Sequence, residues 1–230
     1  MSLAALETQP ALIDQVHDRL LAAVVDGTLA PGRRLTQDEI ALMLGVSRQP
    51  VSHAIQMLRR RGLLIDAGKR GIAVAPIDAI RIRDLYQVRA ALDGLAAELA
   101  AVRCKAGTAP KGELAGLNAA LEAGAQEVMA GITNFAHLVE ADVAFHSALL
   151  RLSGNSAIVE TVAEQWPHFR RSMRHVLEGD EIAKRVWREH ALISQAVLLG
   201  RAEEAGALAR QHAVRAAEDT VRRIDDAPRA

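Results

Sequence analysis

Asp142 and His146 stand four residues apart in a stretch of helical period, so both side chains fall on one helix face and can address the same cation. Two further imidazoles, His190 and His212, flank the turn at Gly200-Arg201, each about ten residues from it, and an antiparallel helix pair would bring them level. Three imidazoles and one carboxylate suit Zn, Ni, Mn or Fe(II), with coordination positions left open for water or a ligand carboxylate. Chance offers another explanation, because eight histidines in 230 residues will also pair with an acid at this spacing without any metal. Spacing leaves both readings open.

A second group of residues has the chemistry of phosphate and base recognition. Between Val46 and Ala75, six basic residues (Arg48, Arg59, Arg60, Arg61, Lys69 and Arg70) stand against one acid, Asp66, in a chain whose formal net charge is zero. A basic cluster alone is more often a solvated face, so it needs a geometric partner, and a helix supplies one. Ser47 suits an N-cap, Pro50 falls in the first turn where its missing N–H is harmless, and Val51, Ala54, Ile55 and Leu58 make the buried stripe. That leaves Ser47, Arg48, Gln49, Ser52 and His53 to face a DNA major groove. Arg48 suits guanine, and Gln49 suits adenine or a neighbouring phosphate. Arg33, Arg34 and Arg59 are placed for phosphates, whereas Lys69, Arg70 and Gly71, at the glycine-rich tip of a hairpin, suit the minor groove.

The elements that must position these residues are mostly helical. Half the chain is hydrophobic but only 3% is aromatic, and Ala and Leu dominate the apolar content. Ile13, Val16, Leu20, Leu21 and Val24 predict a first helix stopped by Gly27, and Thr36-Gln37-Asp38-Glu39 reads as a capping box opening a second that runs to Leu44. Gly45 turns the chain into the third helix, Gly62 ends it, and Leu63-Leu64-Ile65 with Ile72-Ala73-Val74 reads as a wing hairpin. From Asp78 onward the pattern is helical, with breaks near 107–110, 131–133, 153–155, 179–180 and 200, which predicts an antiparallel bundle of about six helices. A lone Cys104, no secretory leader and no long apolar run point to a cytoplasmic protein without a membrane span.

The stretch Pro31-Gly32-Arg33-Arg34-Leu35-Thr36-Gln37-Asp38-Glu39-Ile40-Ala41, followed by Leu44 to Val51, closely resembles the DNA-binding domain of GntR-type bacterial regulators, and Ala54 to Leu58, Gly62-Leu63-Leu64 and Arg70-Gly71 keep the register. One departure is Ser52-His53, where that family commonly has Arg-Glu. Asp142 to Leu149, Gly154-Asn155, Glu189-His190, Gln211-His212 and Leu85 to Asp93 resemble the FCD effector domain of the FadR subfamily. The resemblance implies an extension over 1–10, a winged helix-turn-helix over 11–76 and an effector-binding and dimerisation domain over 77–226. It further implies a homodimer on a pseudo-palindromic operator, acting as a repressor. In the metal-binding branch of that domain Asp142, His146, His190 and His212 would hold a divalent transition metal, with Zn foremost, and a small organic acid would complete its shell. Arg89 matches a pocket arginine that could pair with the acid, with Arg170 and Arg174 as weaker candidates; a surface ion pair with Asp93 is the other reading of Arg89. Two alternatives stay in view: a metal-dependent enzyme in the helical domain, against which stands the lack of a His-Glu-x-x-His helix or nucleophile elbow, and a metal-free regulator like the relatives that bind acyl-CoA.

Overall fold

The computed structural model describes residues 10–68, 71–132, 134–176 and 180–226. The chain forms two compact units, 1–77 and 78–230.

In the first unit α1 (Pro10–Val25), β1 (Arg34–Thr36), α2 (Gln37–Leu44), α3 (Arg48–Arg60), β2 (Leu64–Asp66) and β3 (Gly71–Val74) follow in order. Pro10, expected in the extension, opens α1, where a residue without N–H loses nothing. The capping box is formed: Thr36 N donates to Glu39 Oε2 at 2.6 Å and Glu39 N donates to Thr36 Oγ1 at 3.2 Å. Gly45 ends α2 in the left-handed region at φ 65°, a conformation that costs glycine least. Val16, Leu20, Ile40, Val51, Ile55 and Leu58 from the three helices share one core with Leu63, Leu64 and Val74, which locks α3 against the hairpin. The sheet runs β1-β3-β2, antiparallel, with Leu35 opposite Ile72 and Leu64 opposite Val74. Strand β1 was not foreseen, because three residues with only Leu35 buried carry no readable period.

The second unit is a helical bundle of α4 (Ala79–Lys105), α5 (Lys111–Met129), α6 (Phe135–Leu152), α7 (Ser156–Ala163), α8 (Trp166–Val176), α9 (Asp180–Leu198) and α10 (Ala202–Asp226). The described residues thus hold seven helices in place of about six. The added break lies between α7 and α8: Pro167 cannot donate the backbone bond that would join them, and it sits instead in the first turn of α8. Alanines on α4 (97, 100, 101), α6 (148), α9 (196) and α10 (205, 209) pack around Phe145, Leu149 and Ile193, and their small side chains let the helices approach closely. Gly124 admits the Trp187 indole, since a Cβ there would fall 1.6 Å from Trp187 Cζ2; Trp187 Nε1 in turn donates to the Leu121 carbonyl at 3.0 Å. This pins α9 to α5 one turn before His190. Among the described residues no helix is long and apolar enough to cross a membrane.

Candidate nucleic-acid interface and metal centre

Ser47, Arg48 and Gln49 are exposed at the start of α3, and His53 is exposed a turn later, with Ser52 half-buried beside it. Ser47 has cap backbone angles but its hydroxyl makes no cap bond, so it remains available to a phosphate. Arg59 lies eleven residues from Arg48, about 16 Å along the helix, and is paired with Asp66. Arg33 and Arg34 are exposed at β1. Gly71 opens β3 where a Cβ would meet the Ala67 carbonyl oxygen at 2.6 Å; the hairpin turn therefore needs glycine there. Lys69 and Arg70 lie outside the described residues. One partner went unforeseen: Asp38 pairs with Arg48. The two residues are ten apart in sequence, and only the turn between α2 and α3 joins them.

In the bundle, α6, α9 and α10 aim three imidazoles at one point. His190 Nε2 lies 3.2 Å from His212 Nε2, which lies 3.3 Å from His146 Nε2. Asp142 closes the group, its Oδ1 3.6 Å from His190 Nε2 and its Oδ2 4.0 Å from His146 Nε2. All four are buried. Phe145 stacks on the His190 ring with centroids 4.1 Å apart, and the Trp187 edge meets that ring from another side at 5.0 Å. The outward nitrogens differ in their partners. His212 Nδ1 is 2.8 Å from Glu189 Oε2, whose other oxygen accepts from Arg215 Nη1 at 2.8 Å. His146 Nδ1 is 3.2 Å from Asp93 Oδ2 without hydrogen-bond alignment, and His190 Nδ1 has no hydrogen-bond partner among the described residues. Glu189 and Asp93 were not singled out as partners of the histidines, although Glu189 adjoins His190 in sequence.

The donor set fits a cation. Nitrogens about 2.0–2.1 Å from a tetrahedral Zn stand about 3.3 Å apart, which matches the separations of His212 Nε2 from His190 Nε2 and from His146 Nε2; the three ligand atoms all lie within 4.8 Å of one another. Asp142 Oδ2 is buried with no hydrogen-bond donor among the described residues, an arrangement that is costly for a carboxylate unless a cation or proton satisfies it. Burial pushes the Asp142 and Asp93 carboxyls above the usual carboxylate range, with Arg89 opposing. Burial, then Arg89 and His212, holds His146 well below the ordinary imidazole value; burial, then His212, His146 and Arg89, does the same for His190. Neutral imidazole is the form that binds a metal. Glu189 goes the other way: burial would raise it, but the hydrogen bonds from His212 and Arg215 and the charges of His212 and Arg185 bring it below the usual value.

Arg89 is buried on α4, its Nε 3.2 Å from Asp93 Oδ2, so the pair with Asp93 exists but is internal and not on the helix surface. The Tyr86, Trp166 and Phe169 rings surround its guanidinium at 4.9–5.4 Å. With Asp142, Met173 and His212 it lines a cavity of about 20 Å³, room for about one water molecule. Arg170 is half-buried on α8 and does not line that cavity, because helical period turns Phe169 and Met173 inward instead. The Arg174 side chain lies outside the described residues.

Comparison with known proteins covers both units. Residues 12–74 match the family described as bacterial regulatory proteins, gntR family, and residues 84–215 match the FCD domain. The chain is 32% identical over 214 residues to an HTH-type transcriptional regulator in an unstable DNA locus of Streptomyces ambofaciens, a match covering 91% of this chain and 84% of that protein. It is 28% identical over 185 residues to the HTH-type transcriptional regulator YdhC of Bacillus subtilis, covering 80% and 79%. A solved structure described as a transcriptional regulator GntR from Rhodococcus sp. RHA1 superposes with a TM-score of 0.75 at 26% identity, covering 94% of this chain and 99% of that one.

Proposed function

Because the chain belongs to the gntR family of bacterial regulatory proteins and carries an FCD domain, we propose that it is a homodimeric repressor of the FadR subfamily whose hold on DNA is set by a small carboxylic acid bound beside a divalent metal. It is a DNA-binding transcription regulator and not an enzyme. The observation that carries the regulatory half of the proposal is the buried convergence of three Nε2 atoms and the Asp142 carboxylate. Two copies presenting α3 to successive major-groove turns would read a pseudo-palindrome. Repression is the sign we assign, since a dimer seated on a promoter excludes other proteins from it.

Asp142, His146, His190 and His212 would hold the metal, with Zn first and Ni, Mn or Fe(II) as other fits. When bound, it offers a Lewis-acidic position to a ligand carboxylate. Arg89 supplies a fixed positive charge on the same cavity, and the aromatic rings around it keep water away. A cavity of about 20 Å³ is too small for an organic acid, so binding must open the bundle around α4, α8 and α10. A ligand that favours one arrangement is what couples the two sites, typically by 5- to 150-fold in affinity. The test is operator binding by the metal-loaded dimer across a panel of sugar acids and central-metabolite acids. One acid that changes operator affinity at least fivefold supports the proposal, and a panel that leaves it unchanged while binding elsewhere would contradict it.

Two smaller expectations follow from the geometry. Glu189→Gln should weaken metal binding about tenfold, because a carboxylate on the outer nitrogen fixes the ring and raises its basicity; chelator competition measures it. In the metal-free protein the His146 and His190 rings should show no titration by NMR between pH 8 and pH 6. Their folded-state values lie below the unfolded 6.5, so the stability they contribute is complete above about pH 6.5 and is lost as pH falls below it, when the unfolded chain takes up protons first. A midpoint near 6.5 for either ring would contradict this.

A further inference from the structure

Asp38 and Arg48 both occupy the beginnings of helices, Asp38 in the first turn of α2 and Arg48 as the first residue of α3. Their contact is two-pronged: Arg48 Nε lies 2.6 Å from Asp38 Oδ1, and Nη2 donates to Oδ2 at 2.9 Å. The carboxylate therefore covers the side of the planar guanidinium that bears Nε–H. The outer edge, with one N–H from each terminal nitrogen, stays clear of Asp38. That edge offers two parallel donors, the pattern that pairs with O6 and N7 of guanine. Both side chains are about two-thirds exposed, at 68% and 64%, and an exposed pair adds little to stability. Near DNA, moreover, a carboxylate repels phosphate. Stability thus gives Asp38 little reason to be there, and general affinity for DNA is worse for its presence. What it does accomplish is geometric: it restricts the rotamers of a long side chain before binding and aims the free edge outward.

We propose that Asp38 is a specificity-determining positioning residue, which holds Arg48 with its outer edge toward guanine and gives up general affinity for base discrimination. This rests on Arg48 being a base contact. Two effects of opposite sign follow. Without the carboxylate, repulsion from phosphates falls and binding to arbitrary duplex tightens; Arg48, no longer held, loses preference for its base and gains phosphate contacts instead.

The test uses the full chain with two duplexes, the one most enriched from a random pool by the wild-type protein and a scramble of it. Asp38→Asn and, as a second variant without any acceptor, Asp38→Ala are compared with Arg48→Ala and with the double substitution. Because the position is exposed, neither Asp38 substitution should disturb the fold, and thermal melts check it. Asp38→Asn should tighten binding to the scramble about two- to fivefold and lower the ratio of affinities by roughly tenfold. In the Arg48→Ala background it should no longer lower that ratio. A change of both duplexes by the same factor, or a raised ratio, overturns the role of Asp38. If Arg48→Ala itself weakens both duplexes equally, the base contact fails and this inference with it. If Arg48→Ala lowers the ratio while neither Asp38 variant does, Asp38 alone is wrongly assigned.

Discussion

Replacing His146 and His190 together by alanine is expected to abolish divalent-metal binding while leaving the helical circular-dichroism signal largely intact. The two residues sit on different helices, α6 and α9, and with His212 they bring three nitrogens to one point. Asp142 and His212 alone leave a metal with two protein ligands, below the three or four that Zn sites use. The fold should survive because, although the His190 ring gives up its stack on Phe145, the contacts of Phe145 with Leu149, Ile193 and the alanines around them remain. Each truncation still empties buried volume, so the thermal midpoint should fall, by an amount reduced because each removes a buried Nδ1 without a hydrogen-bond partner. Metal analysis by mass spectrometry on the purified variant decides the matter, and a stoichiometric metal retained by the folded double variant would refute the site.

The second large effect belongs to the other unit. Arg48→Ala should weaken binding to the selected operator by about 1–3 kcal/mol, roughly 5- to 150-fold, and relax the preference at one base pair in each half-site. Arg33→Ala should instead weaken binding evenly across sequences and reduce its salt dependence, since an exposed arginine just before β1 is placed for a phosphate. The distinction comes from position: Arg48 is the first residue of the helix, where side chains reach base edges, and Arg33 precedes a strand. Fluorescence anisotropy on single-base operator variants separates the two. Equal losses on every duplex from both changes would remove Arg48 from the base-reading role.

How much of this was legible in the sequence depends on how local each feature is. The capping box at Thr36 and Glu39, the stripe Val51-Ala54-Ile55-Leu58 and the hairpin on either side of Ala67-Gly68 are written in neighbouring residues, and each is visible without any tertiary information. The i, i+4 spacing of Asp142 and His146 fixes a shared face, and the turn at Gly200 brings His190 opposite His212. The remainder depends on packing. The Asp38–Arg48 pair forms because α2 packs on α3 across the turn that joins them, and the Glu189–His212 contact because α10 lies beside α9; no periodicity records either. The burial of the Arg89–Asp93 pair likewise depends on the aromatic rings of α4 and α8, not on its own spacing. The break before α8 rests on Pro167, a single residue that can either kink a helix or end it, and the packing of α7 and α8 decides which.

On the proposed function, one chain joins a sequence-reading module to a metal-dependent sensor. Selection of bound sequences from a random duplex pool tests it most directly, run with the purified full chain as isolated, with a chelator, and with added Zn or Ni. A palindrome whose half-sites are one helical turn apart should be enriched, with the enrichment altered when the metal is removed and restored when it is returned. A palindrome indifferent to metal would contradict the sensor, and no enrichment under any condition would contradict the sequence-reading role of α3.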